Sequence, residues 1–227
     1  MAEKHSKLWY LEKINLLKDL SEKEMEEIDR RTVMKMAKKG QFIYFPKDPS
    51  YVLFFLKQGR VKLGSYSIEG KEIIKTVLYP GEIFGEMSVT GEENRQDFAV
   101  ALDDDTRMCT INVVEFKKIM DANPHLSFEM TKKIGQRLRN MERKLEDLLF
   151  KDARTRVIEF MKEMADKYGV KIGSEILVKH DLTHQDIAGL TATSRQTVTM
   201  VLSDLKEKDM IYVERKRFLI RNLNRLE

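Results

Sequence analysis

The stretch FGEMSVTGEENRQDFAVA, residues 84–101, begins with Gly85 and Glu86 and comes to a single arginine, Arg95. A glycine, an acid and a later arginine are the layout of a loop that holds a small anion. Asp97 follows two residues after the arginine. A carboxylate there repels a bound phosphate and can occupy the guanidinium itself. A framework role is the other reading of the same residues, with Glu86 paired to Arg95.

A second stretch, DLTHQDIAGLTATSRQTVTMVLSDLKEKDMI, points to different chemistry. Thr183 begins a helix with Asp186 three residues on, an acid where the first turn wants one. Ile187 and Leu190 face inward, and Ala188 is small where two helices cross. TATS is a short turn, and Ser194 caps a second helix that buries Val198, Val201 or Leu202, and Leu205. This helix-turn-helix leaves Arg195, Gln196, Thr199 and Met200 exposed near the N-terminus of its second helix, the end that reaches base edges in a major groove. Arginine suits the two acceptors of guanine, and glutamine the acceptor and donor of adenine. MIYVERKRFLIRN follows, a wing hairpin with Arg215, Lys216 and Arg217 near its tip to meet phosphates. The plainer alternative is a helical hairpin with a solvated basic turn.

Three kinds of element must position these residues. Up to about residue 30 the chain reads as short helices, with Ser21 and Glu24 as a capping box and Leu20, Met25 and Ile28 facing a core. From Gly40 to Ile111 come short strands, QFIYF, VLFFLKQG, RVKLGSYSI, KEIIKTVLY, DFAVALDD and RMCTINV. Glycine and proline punctuate them, as in an antiparallel sandwich or barrel. Gly70 supplies the positive φ of a hairpin tip. VVEFKKIMDANP is a short helix stopped before Pro124, and a long helix runs from Leu126 to about Phe150. Ile134, Leu138, Met141, Leu145 and Leu148 recur along it at heptad spacing. Its other faces carry Lys132, Lys133, Arg137, Arg139 and Glu142 among further charges, so the single apolar stripe suits a partner helix. DARTRVIEFMKEMADKYG is an amphipathic helix ending at Gly169. The domains are therefore 1–125, 126–151 for the dimerisation helix, and 152–227.

The chain has 227 residues, 42% hydrophobic and 34% charged, with a net charge of +4. That is a charge-rich globular composition whose mildly basic balance permits nucleic-acid binding without requiring it. No run of about 18 apolar residues exists to span a membrane, and charges interrupt the first residues where a signal peptide would be apolar. Cys109 is the only cysteine, which excludes an internal disulfide and a four-thiolate cluster and fits the cytoplasm. Residues 40–111 contain no histidine, so a metalloenzyme on a cupin-like barrel lacks its ligands. No nucleophile–base arrangement appears, and no metal ligands are expected.

The order of β-roll, long helix and winged helix-turn-helix resembles the Crp–Fnr (catabolite activator/fumarate-nitrate regulator) family of bacterial transcription factors. LKQGRVKL, EGKEIIKTVLYPGEIFGEM, FKKIMDANP, GQRLRNMERKLEDLLFKDARTRV and the helix-turn-helix carry the resemblance from about residue 10 to 223. It implies an α+β fold: an antiparallel, jelly-roll-like β-roll, a dimerisation helix and a winged helix-turn-helix. It also implies a homodimer on a two-fold symmetric duplex site, RNA polymerase as a further partner, and a signal in the β-roll that sets the DNA-binding pose. Arg195 resembles the family arginine that reads a guanine. Gln196 stands where many members have glutamate, Met200 where many have a second base-contacting arginine, and Ala192 where the turn usually has glycine.

In the family's cyclic-nucleotide-binding members the loop reads Phe-Gly-Glu-Leu and later Arg-Ser-Ala or Arg-Thr-Ala. Phe84, Gly85, Glu86, Met87 and Arg95 match that loop, while Gln96 replaces the hydroxyl residue and Asp97 the alanine. Met141 and Glu142 stand where members that bind cyclic AMP place Thr and Ser. Gly85, Glu86, Met87, Arg95, Gln96 and Met141 are the effector-pocket candidates, with cyclic AMP disfavoured. No cofactor is evident and the effector is unknown: an apolar or acidic small molecule between β-roll and dimer helix, lined by Met and Phe residues, stays open, as does no ligand. Haem is a weak alternative, since His5, His125, His180 and His184 all lie outside the β-roll core. A ligand-binding module acting on a protein partner is the alternative to a DNA-binding regulator, and the helix-turn-helix argues against it.

Overall fold

The apolar run from Leu53 to Leu56 explains why the first part of the chain folds as two sheets rather than one. Side chains alternate across a strand. Leu53 and Phe55 enter one buried cluster, and Phe54 and Leu56 another. A strand covered on both faces needs no polar alternation. In the computed structural model, which describes residues 11–70, 72–214 and 216–226, this run belongs to β3 (Val52–Gln58). His5 and Arg215, named above, lie outside the described residues.

Eight strands form two four-stranded sheets. The first has the order β1 (Val33–Ala37), β8 (Thr106–Asn112), β3 and β6 (Ile83–Phe84). The second has the order β2 (Phe42–Tyr44), β7 (Phe98–Ala101), β4 (Val61–Tyr66) and β5 (Glu72–Leu78). Every pairing is antiparallel. Leu56, Leu63, Phe84, Ala99 and Met108 pack together between the sheets, where Phe54 stacks on Phe84 with ring centroids 4.6 Å apart. Leu53, Phe55, Ile83 and Ile111 point the other way, onto helices α1 (Glu22–Arg31) and α2 (Val113–Ala122) and the start of α3 (Pro124–Phe150). α1 starts at the expected capping box, with the Ser21 N–H donating to Glu24 Oε2 over 2.8 Å. α3 starts at Pro124, since proline fits a first helical turn, where its missing N–H has no partner to lose. The Asn123 side chain accepts from the Leu126 N–H at 3.0 Å.

Two strands lie outside the sequence expectation. β1 is exposed at every position but Ala37, so it carries no burial alternation. β6 has two residues, too few to show a period.

The described residues divide into two units, one ending at Arg139 and one beginning at Asn140. In the second unit α4 (Ala153–Tyr168) starts at Asp152, whose side chain accepts from the Thr155 N–H at 2.7 Å. A hairpin of β9 (Gly169–Ile172) and β10 (Glu175–Lys179) follows, then α5 (His184–Leu190), α6 (Arg195–Glu207), β11 (Ile211–Glu214) and β12 (Arg217–Ile220). The four strands make one sheet in the order β11, β12, β10, β9. The wing is thus half of a sheet whose other half, β9–β10, the sequence pattern concealed. Val157, Ile158, Met161, Val178, Ile187, Val198, Leu205, Phe218 and Ile220 are among the buried residues of this unit.

Candidate functional site

Local capping shapes the helix-turn-helix. The Thr183 N–H donates to Asp186 Oδ2 at 2.8 Å, and Thr183 Oγ1 accepts from the Asp186 N–H at 3.1 Å. Ser194 Oγ accepts from the Thr197 N–H at 3.0 Å and starts α6. Between the helices Ala192 takes φ 48°, a left-handed conformation that costs a β-carbon about 1 kcal/mol. α6 buries Val198, Val201, Leu202 and Leu205. Arg195, Gln196, Thr199 and Met200 are exposed, and their spacing of one, four and five residues sets them on one helix face. The Thr199 hydroxyl donates to the Arg195 carbonyl at 3.0 Å and lies 3.0 Å from His184 Nδ1.

Arg156, which the sequence reading passed over, organises this motif. From α4 its Nε donates to the Thr191 carbonyl at 2.9 Å and its Nη2 to the Ala192 carbonyl at 3.0 Å. Its Nη1 donates to the Lys151 carbonyl at 2.6 Å, just past the end of α3. One guanidinium therefore ties the strained turn to the helix-end segment. No spacing rule announces this, because the acceptors are backbone groups, two of them 35 and 36 residues away.

The wing differs from the simple expectation of free cations. Lys216 sits at its tip with φ 68° and pairs with Asp181 at 2.8 Å, and Arg217 pairs with Glu214. Exposed pairs of this kind are worth at most about 1 kcal/mol, so a phosphate can replace either carboxylate.

In the first unit Gly85, Glu86, Met87 and Arg95 come together around a cavity of about 20 Å3, with Tyr44, Leu63, Glu92, Asp97 and Arg137. The expected Glu86–Arg95 pair is absent from this arrangement. Arg95 instead donates from Nη1 to the Gly85 carbonyl at 3.1 Å and from Nη2 to the Val52 carbonyl. Its guanidinium lies over the Tyr44 ring, 4.6 Å from the centroid. A β-carbon on Gly85 would stand 2.8 Å from Arg95 Nη1 and 2.9 Å from the Val52 carbonyl, and its φ is 75°; the glycine is required twice over. Asp97 does not take the arginine either. It accepts from the Tyr44 hydroxyl at 3.1 Å and lies 3.4 Å from Lys75 Nζ. Burial and the Asp97 carboxylate push the Tyr44 phenol well up, which keeps it a protonated donor.

Glu86, 1% exposed, pairs with Arg137. Arg137 reaches in from α3, also donating from Nη2 to the Ile83 carbonyl at 3.0 Å, and burial lowers its pKa. Helical periodicity places Arg137 on a charged face off the apolar stripe; the fold half-buries it against Glu86. Two other pocket candidates are not among the residues that line this cavity. Gln96 is exposed, its amide donating to the Asn94 carbonyl at 3.0 Å. Met141 does not line the cavity and is 65% exposed.

Along α3 the heptad stripe is split. Ile134 is partly buried against the core of its own unit. Leu138, Met141, Leu145 and Leu148 are 48–65% exposed in the single chain. His125 lies 3.7 Å from Asp19, and His180 Nδ1 accepts from the Leu182 N–H at 3.3 Å. Neither lines the pocket. No helix among the described residues is long and apolar enough to cross a membrane.

Two family models match the chain. Residues 34–123 match the cyclic nucleotide-binding domain, and residues 155–227 match the Crp-like helix-turn-helix domain. A CRP-like cAMP-activated global transcriptional regulator of Mycobacterium tuberculosis is 29% identical over 188 residues, covering 83% of this chain and 84% of that protein. A global nitrogen regulator of Nostoc is 28% identical over 189 residues, covering 83% of this chain and 85% of that one. Among solved structures, a mutant of CooA from Carboxydothermus hydrogenoformans superposes with a TM-score of 0.80 at 26% identity, covering 94% of this chain and 93% of that one. Both are named as global regulators, one cAMP-activated and one of nitrogen.

Proposed function

The chain belongs to the Crp–Fnr family of DNA-binding transcription regulators, and from that membership we propose that it acts as a homodimer on a two-fold symmetric duplex site. One observation carries the reading: a capped α6 presents Arg195, Gln196, Thr199 and Met200 on one exposed face. With α6 in the major groove, Arg195 donates both guanidinium N–H groups to guanine O6 and N7, and Gln196 pairs with an adenine edge. Met200 offers an apolar contact where a thymine methyl is the matching group. Ser194 and Thr183 stand beside the phosphates, and Lys216, Arg217 and Arg215 of the wing add sequence-independent affinity.

The exposed Leu138, Met141, Leu145 and Leu148 supply the two-fold interface, α3 pairing with its copy. A regulator of this kind works in the cytoplasm beside RNA polymerase. Its pose is set by a signal in the β-roll, and cyclic AMP, named for several relatives, is not that signal. Arg95 is committed to two carbonyls and an aromatic face, leaving no fork for a phosphate.

The test is operator selection from a randomised duplex library, followed by anisotropy titrations at fixed salt. Arg195→Ala removes an exposed side chain and leaves the fold intact. It weakens binding by about 1–3 kcal/mol per guanine contact and relaxes specificity there, with little change in salt slope. An unchanged consensus and affinity would refute the assignment.

A further inference from the structure

The β-roll pocket is closed from within the chain, and its charges indicate what else could enter. The β-roll contributes three carboxylates, Glu86, Glu92 and Asp97, and one cation, Arg95. Lys75 offsets Asp97 at 3.4 Å, and Ser50 donates to Glu92 at 2.9 Å. Arg95 lies 3.9 Å from Glu92 and spends its Nη groups on backbone carbonyls. The remaining need is that of Glu86, whose side chain is 1% exposed and whose Oε2 has no hydrogen-bond partner among the described residues. A buried carboxylate without a counter-charge is strongly disfavoured, so the position selects a cation.

We propose that this pocket is a cation site whose resident occupant is the guanidinium of Arg137. An external effector is then a small guanidinium or primary amine that competes with Arg137 for Glu86. The orphaned Glu86 Oε2 and Arg95 Nε are the acceptor and donor left for the rest of such a molecule. Arg137 belongs to α3, so its displacement releases that helix from the Ile83 carbonyl and from Glu86 together. The regulatory consequence rests on reading the β-roll as the signal-receiving domain; the chemistry of the pocket stands on its own geometry.

The experiment is chemical rescue in the full-length protein. Ethylguanidinium at low-millimolar concentration, far below denaturing levels, raises the melting temperature of Arg137→Ala. It does not raise that of the wild type or of the double variant Glu86→Gln/Arg137→Ala, and cyclic AMP raises none of the three. No rescue of Arg137→Ala, or stabilisation of any form by cyclic AMP, overturns the proposal. Should Arg137→Ala not fold, the double variant decides: its recovery supports a charge-balancing role for Arg137, and its failure refutes one. Operator affinity, measured on the same proteins, separates the two readings. Rescue of melting with no change in DNA binding by Arg137→Ala leaves the cation site standing and removes the coupling proposed above.

Discussion

Replacing Arg156 by alanine removes three hydrogen bonds at once, to the carbonyls of Lys151, Thr191 and Ala192 at 2.6, 2.9 and 3.0 Å. A hydrogen bond to a charged donor contributes about 1.5–3 kcal/mol when well buried, and less where water can replace it. Arg156 is half-buried and its Ala192 contact is exposed, so we expect a total loss of about 2–4 kcal/mol. Arg156→Lys keeps the charge but lacks the fork. One ammonium cannot reach three carbonyls, and it should recover about a third of the loss. Urea unfolding followed by far-ultraviolet circular dichroism measures both variants. Because two of the bonds hold the turn that orients α6, Arg156→Ala should also weaken operator binding under conditions where it remains folded, with the dimer unchanged. If Arg156→Ala unfolds within about 0.5 kcal/mol of the wild type, as an ordinary surface change does, and binds the operator equally well, the reasoning is wrong.

Two further changes test the remaining parts. Leu145→Glu places a charge in the middle of the exposed α3 stripe, where Leu145 is 60% exposed. Sedimentation should show a shift from dimer to monomer with helical content unchanged, and a persistent dimer would place the interface elsewhere. Ala192→Gly relieves the left-handed backbone at φ 48°. The strain relief of about 1 kcal/mol is partly offset by the looser unfolded chain, so the gain should be roughly 0.5 kcal/mol in urea. A loss of stability would show that the turn is not strained.

What could be read from the sequence follows the range of the interactions involved. The capping boxes at Ser21 and Thr183, the cap at Ser194 and the buried face of α6 appear as expected, because each depends on residues within one or two turns. Most of the strands were legible from their composition and punctuation, as was the order of β-roll, long helix and helix-turn-helix. The strands that escaped are β1, β6, β9 and β10. They are short or exposed, and they exist because a neighbour offers hydrogen-bonding groups, not because of their own side-chain pattern.

The pocket shows the same limit more sharply. From the loop alone Glu86 and Arg95 look like natural partners, and Asp97 like the competitor. In the folded chain Arg95 turns to the carbonyls of Gly85 and Val52, and Glu86 meets Arg137, 51 positions away. A charged residue off the apolar stripe of a helix reads as solvated. Only the packing of α3 against the β-roll decides that Arg137 is half-buried against Glu86, and the position of Lys151 and the turn decides what Arg156 holds. By itself the sequence determined the helices, most of the strands, their order and the exposed face of α6, because caps and periodicities are written locally. The tertiary structure alone decided which opposite charges meet, since buried ion pairs and side-chain-to-carbonyl bonds join positions that no local pattern relates.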